Sequence, residues 1–225
     1  MCTMCGFREK IKSSDNNIYG PMGVDLDNTI VSYDAVLFAA ALEFNLIESS
    51  NTKAKKAIRD TVQRLPEGEI KWQKLQAEIY GPRMIAAELI DGVNNFFIQC
   101  SRKSIPVYII SHKTKFANYG STDINLRETA LKWLNANNFF DKQGMGLGRS
   151  NVYFESTRQD KITRIRNLGC KYFIDDLEEI FVERTFPINT NKILFDRHNE
   201  YESRKNVRIC NTWSEITELI FGKDE

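Results

Sequence analysis

The sequence predicts an α/β protein: a doubly wound, Rossmann-like parallel sheet with a small α-helical domain inserted after the first strand. Three observations predict it. Apolar runs of strand length alternate with amphipathic helical segments through the second half of the 225 residues. Three helical segments follow directly on the first strand and interrupt that alternation. Acidic or hydroxyl residues stand at the ends of four of the apolar runs.

The first strand candidate lies in IYGPMGVDLDN, where the apolar residues concentrate at 22–26. From Asp34 onward the apolar period becomes helical. Pro66-Glu67-Gly68 separates two of the helices, and Gly81-Pro82 ends the last one before the chain returns to the alternating pattern. The predicted helices in this part of the chain cover 35–47, 53–65, 69–80 and 93–103.

The run IPVYIISH, at 105–112, is continuously apolar and rich in β-branched and aromatic residues, which is typical of a strand buried on both faces of a parallel sheet. After it, helices are predicted at 125–137, 158–169 and 213–221, and strands at 151–156, 171–177, 191–196 and 206–210. Strands and helices that alternate in this way form parallel sheets with crossover helices. We therefore expect an α/β core made of residues 1–33 and 92–225, and an inserted helical domain made of residues 34–91.

Composition and charge exclude several classes of protein. Lys and Arg number 31 against 30 Asp and Glu, so the chain has no basic footprint for nucleic acid. No apolar run approaches the roughly 20 residues that span a membrane, and the first residues have no apolar core of the signal-peptide kind. We therefore expect a cytoplasmic protein without a transmembrane segment.

The cysteines give no sign of a structural role. Five of them stand at scattered positions, which favours reduced thiols over a disulfide framework. Cys2 and Cys5 form a C-x-x-C pair, but His112 and His198 are the only histidines and neither stands beside another cysteine. We interpret the pair as part of an unremarkable N-terminal tail.

The residues at the predicted strand ends carry the functional signal. In an open parallel sheet, ligands bind beyond the carboxyl ends of the strands. Two of the four ends carry paired carboxylates. The residues at the four ends are Asp25 and Asp27, Ser111 and His112, Glu155 and Ser156, and Asp175 and Asp176.

Four carboxylates at one sheet edge would repel one another and need a cation. Oxygen ligands alone favour Mg²⁺, which uses few carboxylates together with a substrate phosphate. One carboxylate can then act as a nucleophile that becomes phosphorylated, and an acidic residue two positions later can move a proton. Ser111, at a strand end, and Lys161, in the following helical segment, are candidates to cradle the phosphoryl oxygens.

This order of residues resembles the haloacid dehalogenase-like (HAD) superfamily, whose four motifs are a DxDxT strand end, a Ser or Thr strand end, a Lys at a helix and an acidic pair. The resemblance spans about residues 20–180, and the inserted helices at 34–91 resemble the cap that many members carry between the first two motifs. The matching residues are DLDNT at 25–29, Ser111, Lys161 and the FIDD pair Asp175-Asp176.

The resemblance implies a role for each matching residue. Asp25 would be the nucleophile and a Mg²⁺ ligand, and Asp27 the general acid and base that also gives the metal its backbone carbonyl. Thr29 would support the loop behind them. Ser111 would bind the phosphoryl group, Lys161 would balance charge, Asp175 would bind Mg²⁺, and Asp176 would bind it directly or through water.

The second aspartate separates activities within the superfamily, because haloacid dehalogenases resemble this pattern but lack it. The resemblance thus implies a Mg²⁺-dependent phosphatase that acts through an aspartyl-phosphate, with a small phosphorylated metabolite or a phosphoprotein as its substrate. A phosphosugar mutase, a phosphonatase using a cap lysine, and a non-catalytic binding module with this fold are the alternatives. The sequence does not give the oligomeric state.

Five further residues are candidates to bind substrate. Asn28 and Thr29 belong to the first motif, and His112 and Lys113 follow the second, where plain loop residues are an equally good interpretation. Arg83 stands at a break between helices of the cap, where it could meet an anionic substrate or lie in an exposed turn.

Overall fold

Six parallel strands form the central sheet of the protein in the computed structural model, which describes residues 19–49, 54–119, 123–203 and 205–222. Cys2 and Cys5 lie outside these residues. In spatial order the strands are Val152–Glu155 (β5), Val107–His112 (β4), Met22–Val24 (β1), Tyr172–Asp175 (β6), Asn191–Phe195 (β7) and Arg208–Cys210 (β8). The α/β, Rossmann-like class predicted from the sequence is therefore confirmed.

Helices cover both faces of the sheet, and neighbouring strand residues point to opposite faces. Ile109 and Ile174 pack in the larger of two hydrophobic clusters, whereas their neighbours Ile110 and Phe173 pack in the smaller one. Gly23 is needed in the central strand, because a Cβ atom there would lie 2.6 Å from the ring of Phe173. The helices of the core are Val93–Arg102 (α4), Leu126–Ala136 (α5), Arg158–Asn167 (α6), Glu178–Phe181 (α7) and Trp213–Phe221 (α8).

Side-chain caps fix where three of these helices begin. Asn125 accepts hydrogen bonds from the backbone at the start of α5, and Thr157 accepts one from Asp160 at the start of α6. Thr212 and Glu215 form a reciprocal capping box at the start of α8. The cap of α6 stands two residues after the end of β5, so it begins the helix close to the sheet edge that carries the candidate residues.

The inserted helices lie between two short antiparallel strands, Val31–Ser32 (β2) and Glu88–Leu89 (β3). They are Asp34–Glu43 (α1), Lys55–Gln63 (α2) and Gly68–Tyr80 (α3), followed by a 3-10 turn at Met84–Ala86. The first helix ends earlier than the predicted 35–47, and Asn45 beyond it has a left-handed φ of 54°, as is common after a helix. Gly81-Pro82 follows the end of α3, as predicted.

Strand β1 also ends earlier than the predicted 22–26, before either aspartate. The chain turns after Leu26, whose carbonyl accepts hydrogen bonds from the amides of Ile30 and Val31. Asn28 takes a left-handed φ of 61° in this turn, a conformation that asparagine tolerates better than most residues. The turn leaves the side chains of Asp25 and Asp27 beyond the sheet instead of within it.

Three further findings concern the apolar length of the helices, the cysteines and the tryptophans. Within the described residues, no helix is both long and apolar enough to cross a membrane. The described cysteines, Cys100, Cys170 and Cys210, are buried free thiols. All three tryptophans are buried as well, with exposed fractions of 5% or less.

Candidate active site

An acidic cluster lies where β1 and β6 end. Val24 pairs with Ile174, so Asp25 and Asp175 are neighbours one residue further along, and the amide of Asp25 donates to the carbonyl of Ile174 at 2.9 Å. One carboxylate oxygen from each of Asp25, Asp175 and Asp176 lies within 4.8 Å of the others. The parallel register therefore brings together two acidic motifs that are 150 residues apart in the chain.

Lys161 is the buried cation of this cluster. Its Nζ donates to Asp25 Oδ1 at 2.5 Å and to Asp175 Oδ2 at 2.6 Å, and the residue is 3% exposed. Burial opposes its charge, but the two carboxylates outweigh burial and raise the pKa of Lys161. Helix α6 places this side chain, because the Thr157 cap sets its first turn, and the Lys161 amide donates to the Thr157 carbonyl.

The negative charges of the clustered carboxylates are only partly compensated by neighbouring positive groups. Burial raises the pKa of Asp25 to about 7, and the charges of Asp175 and Asp27 add to this effect while Lys161 opposes it. Burial also raises the pKa of Asp176 well above its usual range, with Asp175 and Asp25 raising it further. A single ammonium group thus does not neutralise the cluster.

This donor set fits Mg²⁺. All the candidate ligand atoms are carboxylate oxygens, they converge, and they lack a compensating charge. Asp175 already accepts hydrogen bonds from Lys161 and, at 2.9 Å, from the amide of Leu177, so its orientation is fixed. Asp25, Asp175 and Asp176 would hold the ion.

We expect Mg²⁺ to raise the midpoint of thermal unfolding, by an amount that grows as pH rises from 5.5 to 8.5. Asp25 has a folded pKa near 7 and an unfolded pKa of 3.8. The metal-free fold therefore binds more protons than the unfolded chain, and it loses this contribution to stability as pH rises through 7. Protons compete with the metal for the carboxylates at low pH. Differential scanning fluorimetry with and without MgCl₂ checks this, and a shift that shrinks with rising pH would contradict it.

Thr29 ties the turn after β1 to the acidic pair. Its buried hydroxyl accepts a hydrogen bond from the amide of Asp176 at 3.1 Å and lies 3.4 Å from Asp176 Oδ1. Its carbonyl accepts a hydrogen bond from the indole Nε1 of Trp213 at 2.9 Å. The Thr29 side chain is 0% exposed, so it supports the turn and the acidic pair instead of facing a ligand.

Asp27 lies apart from the three clustered carboxylates and has its own two partners. The hydroxyl of Tyr33 donates to Asp27 Oδ1 at 2.6 Å, and the Nζ of Lys113 lies 2.8 Å from Asp27 Oδ2. Lys113 is buried, and it also lies over the ring of Tyr80 at 4.9 Å. Burial and the charge of Asp27 raise the pKa of Tyr33 well above its usual range, so its hydroxyl keeps its proton.

The residues at the end of β4 differ in exposure. Ser111 is 1% exposed and lies two residues beyond Ile109, which pairs with Val24. It therefore lies at the same edge of the sheet as Asp25. His112 is exposed, and its Nε2 lies 3.1 Å from the carbonyl of Ser156.

Arg83 forms its ion pairs with other residues of the insertion. Its guanidinium makes two hydrogen bonds of 2.8 Å to Glu43 and lies 3.6 Å from Glu78. These contacts raise the pKa of Arg83 despite a small opposing effect of burial. The structure does not bring this side chain to the acidic cluster.

A cavity of about 280 Å³ adjoins the site on the side of Asp176 and Asn28. Lys55, the first residue of α2, lines it. Burial opposes the charge of Lys55, but Tyr80 and the carboxylates of Asp176 and Asp27 raise its pKa. Other walls come from the entry to the insertion, from α2, and from the segments after β6 and β7. Among the lining residues are Ser32, Asp34, Lys56, Arg59, Leu177, Glu179, Arg197 and His198.

Sequence reasoning missed Tyr33 and gave no particular weight to Lys55. Tyr33 stands between a two-residue strand and a helix. No sequence motif predicts a contact between two residues that are six positions apart in such a segment. Lys55 is one of several lysines in the insertion, and only the fold selects it. The one available signal was position, because both residues lie in the segment that follows the first motif.

Solved structures of other proteins share the fold of this chain. A haloacid dehalogenase-like hydrolase from Streptococcus pneumoniae is 14% identical, with a TM-score of 0.56 over 89% of this chain and 97% of that one. HAD hydrolases from Entamoeba histolytica and Geobacter sulfurreducens are 13% and 10% identical, each with a TM-score of 0.53, over 90% and 92% of this chain and 97% and 99% of theirs. No protein-family model and no curated protein matches the sequence. At such identities the likeness concerns the fold, and this chain has the fold of the haloacid dehalogenase-like superfamily.

Proposed function

We propose that the chain is a Mg²⁺-dependent phosphomonoester hydrolase in which Asp25 is the nucleophile. The observation that carries the proposal is the environment of Asp25: a buried carboxylate held by Lys161 beside two further carboxylates, with Asp27 close by. The solved structures with this fold are described as hydrolases, which agrees with the proposal. We retain the division into a core of residues 1–33 and 92–225 and a cap of residues 34–91 as part of it.

The charges of the site favour an anionic substrate once a divalent cation is bound. When all groups are ionised, three ammonium groups face four carboxylates, which leaves one net negative charge. A divalent cation reverses that sign, and a positive site attracts a phosphoryl group. The residues counted are Lys55, Lys113, Lys161, Asp25, Asp27, Asp175 and Asp176.

In the first half-reaction, a carboxylate oxygen of Asp25 attacks phosphorus and the ester P–O bond breaks. Asp27, as a carboxylic acid, gives its proton to the departing alkoxide. Lys161 holds Asp25 in place, and Ser111 would donate to a phosphoryl oxygen. Mg²⁺ held by Asp25, Asp175 and Asp176 would stabilise the negative charge of the phosphoryl oxygens.

In the second half-reaction, Asp27 accepts a proton from water as that water attacks the phosphorus of the aspartyl-phosphate. The bond between phosphorus and Asp25 breaks, which releases inorganic phosphate and restores the carboxylate. Asp27 thus ends protonated, as it began. Asn28, at the edge of the cavity, would contact the substrate.

The cavity favours a small phosphorylated metabolite over a phosphoprotein. Its volume of about 280 Å³ lies at the lower end of ligand pockets, and α2 of the insertion forms one wall. Asp25 is 5% exposed and does not line the cavity. We therefore infer that the substrate's phosphoryl group reaches Asp25 when the insertion moves, as lids do in many enzymes.

The test is release of inorganic phosphate from p-nitrophenyl phosphate, a panel of small phosphate monoesters and a phosphotyrosine peptide, each with MgCl₂ and with EDTA. We expect turnover of monoesters that EDTA abolishes, with the peptide the poorest substrate. A chain that releases phosphate from none of them would contradict the proposal. Isomerisation of a sugar phosphate without phosphate release would favour a mutase instead.

The phosphonatase alternative has its own discriminating experiment, because it needs an unprotonated cap lysine to form a Schiff base. The raised pKa of Lys55 disfavours that form. Borohydride with a phosphonoaldehyde would trap a covalent adduct on such an enzyme, and we expect none.

A further inference from the structure

Two side chains outside the four motifs bind the carboxylate of Asp27, and a third packs against both of them. Tyr33 donates a hydrogen bond to one oxygen, and Lys113 forms an ion pair with the other. Tyr80 packs against both: its ring lies edge-on to that of Tyr33 at 4.8 Å and beneath the ammonium of Lys113 at 4.9 Å. These contacts come from three separate places in the chain, which are the entry to the insertion, the end of β4 and the last turn of α3.

We propose that Tyr33 and Lys113 are positioning residues that aim the Asp27 carboxyl group at the leaving oxygen of the substrate, and that Tyr80 holds them in place. We refer to Tyr33 and Lys113 as the Asp27 clamp. The clamp deepens the proposed function, since it presumes that Asp27 is the acid of that reaction.

The geometry of the clamp supports a positioning role. Two oxygens bound by two different donors leave the carboxyl group no free rotation, and a proton donor must lie within hydrogen-bond reach of the atom it protonates. Tyr33 is 1% exposed and Lys113 is 4% exposed, so the surrounding residues restrict the movement of both donor side chains. Asp27 keeps 18% of its side chain exposed, which leaves it accessible to a leaving group.

Tyr80 connects the clamp to the insertion. It is the last residue of α3, whereas Tyr33 directly precedes α1 and Lys113 directly follows β4. Its hydroxyl also interacts with Lys55 at the start of α2. A movement that separates α3 from the sheet therefore removes the packing behind both donors, and the acid is in place when the insertion is closed.

The test compares two substrates that differ in how much they need an acid. p-Nitrophenolate is a stable anion that departs without a proton, whereas the alkoxide of an alkyl phosphate needs one. kcat/KM covers the steps through cleavage of the ester bond. Tyr33→Phe and Lys113→Met are expected to lower kcat/KM about 10-fold or more for an alkyl phosphate and less than about threefold for p-nitrophenyl phosphate. Asp27→Asn, as the benchmark, is expected to give the same pattern with a larger loss.

Matched controls separate positioning from general damage. Tyr153→Phe, on β5, and Lys142→Met, on an exposed turn, are expected to leave both values unchanged. Tyr33→Phe keeps the ring that packs on Tyr80, and circular dichroism with a thermal melt verifies folding.

Tyr80→Ala is expected to show the pattern of the clamp variants, because it removes the packing behind both donors.

Two outcomes would overturn the clamp while leaving the hydrolase intact. Equal losses on both substrates would mean that Tyr33 or Lys113 binds the phosphoryl group or supports the fold, and unchanged values would mean that neither positions the acid. If Asp27→Asn itself showed no dependence on the leaving group, the role of Asp27 would be wrong and the clamp with it. A wild-type chain inactive on every monoester would contradict both proposals.

Discussion

Asp25→Asn is expected to reduce phosphate release to less than about a thousandth of the wild-type rate, and to raise the thermal midpoint of the metal-free protein at pH 8. Activity disappears because the amide is not a nucleophile, although its shape is nearly unchanged. Stability rises because burial and the charges of Asp175 and Asp27 disfavour the ionised carboxylate, whose pKa is raised to about 7. The gain is expected above pH 7 and should fade at pH 5.5, where Asp25 is protonated.

The measurements are a phosphate-release assay and thermal melts at both pH values in EDTA. Asp60→Asn, on the exposed side of α2, is the matched control and should alter neither quantity. Retained turnover in Asp25→Asn would refute the role of Asp25 as nucleophile. A lower melting point at pH 8 would mean that the ion pair between Asp25 and Lys161 stabilises the fold by more than burial of Asp25 and its repulsion from the neighbouring carboxylates destabilise it.

Lys161→Met is expected to abolish turnover and to destabilise the metal-free fold at pH 8 by about 3–5 kcal/mol, the usual effect of removing one partner from a buried ion pair. Asp25 and Asp175 then face each other without an ammonium group, and both are nearly inaccessible to water. Mg²⁺ is expected to recover part of the lost stability. The deficit should also shrink at pH 5.5, where protonation relieves the repulsion.

Chemical denaturation of the variant, in EDTA and in MgCl₂, measures these differences. Lys132→Met, on the exposed face of α5, is the control for loss of a lysine. A variant as stable as wild type in EDTA would show that the acidic cluster is neutralised by protons and not by Lys161.

The core of the site could be predicted from sequence because its residues stand at fixed places in a regular pattern. Asp25, Ser111 and Asp175 each follow or end an apolar strand, and parallel strands align their carboxyl ends. Lys161 stands in α6, the helix that follows β5, one turn from the Thr157 cap of that helix. Apolar periodicity placed Asp25, Ser111 and Asp175 at strand ends, and the resemblance to the haloacid dehalogenase-like superfamily singled out Lys161 in the helix.

The surroundings of Asp27 could not be predicted, since they depend on how the chain leaves the sheet. The strand ends at Val24, two residues before the predicted end, because the turn after Leu26 makes its own backbone hydrogen bonds. That turn brings Tyr33 back to Asp27. Arg83 illustrates the same limit: its partner Glu43 lies 40 residues away, and only the packing of α1 against α3 brings them together.

The hydrogen bond from Trp213 to the carbonyl of Thr29 gives the site an optical reporter. Thr29 also binds the amide of Asp176, so a single short path of contacts joins the acidic cluster to an indole in the last helix. Indole fluorescence responds to the electric field and hydrogen bonding around the ring, and Trp213 is 0% exposed, which shields it from solvent quenching. Trp72 and Trp133 lie elsewhere and contribute a background that phenylalanine substitutions can remove. We therefore expect metal and ligand occupancy to change the intrinsic emission, which can be measured without a label or a turnover assay.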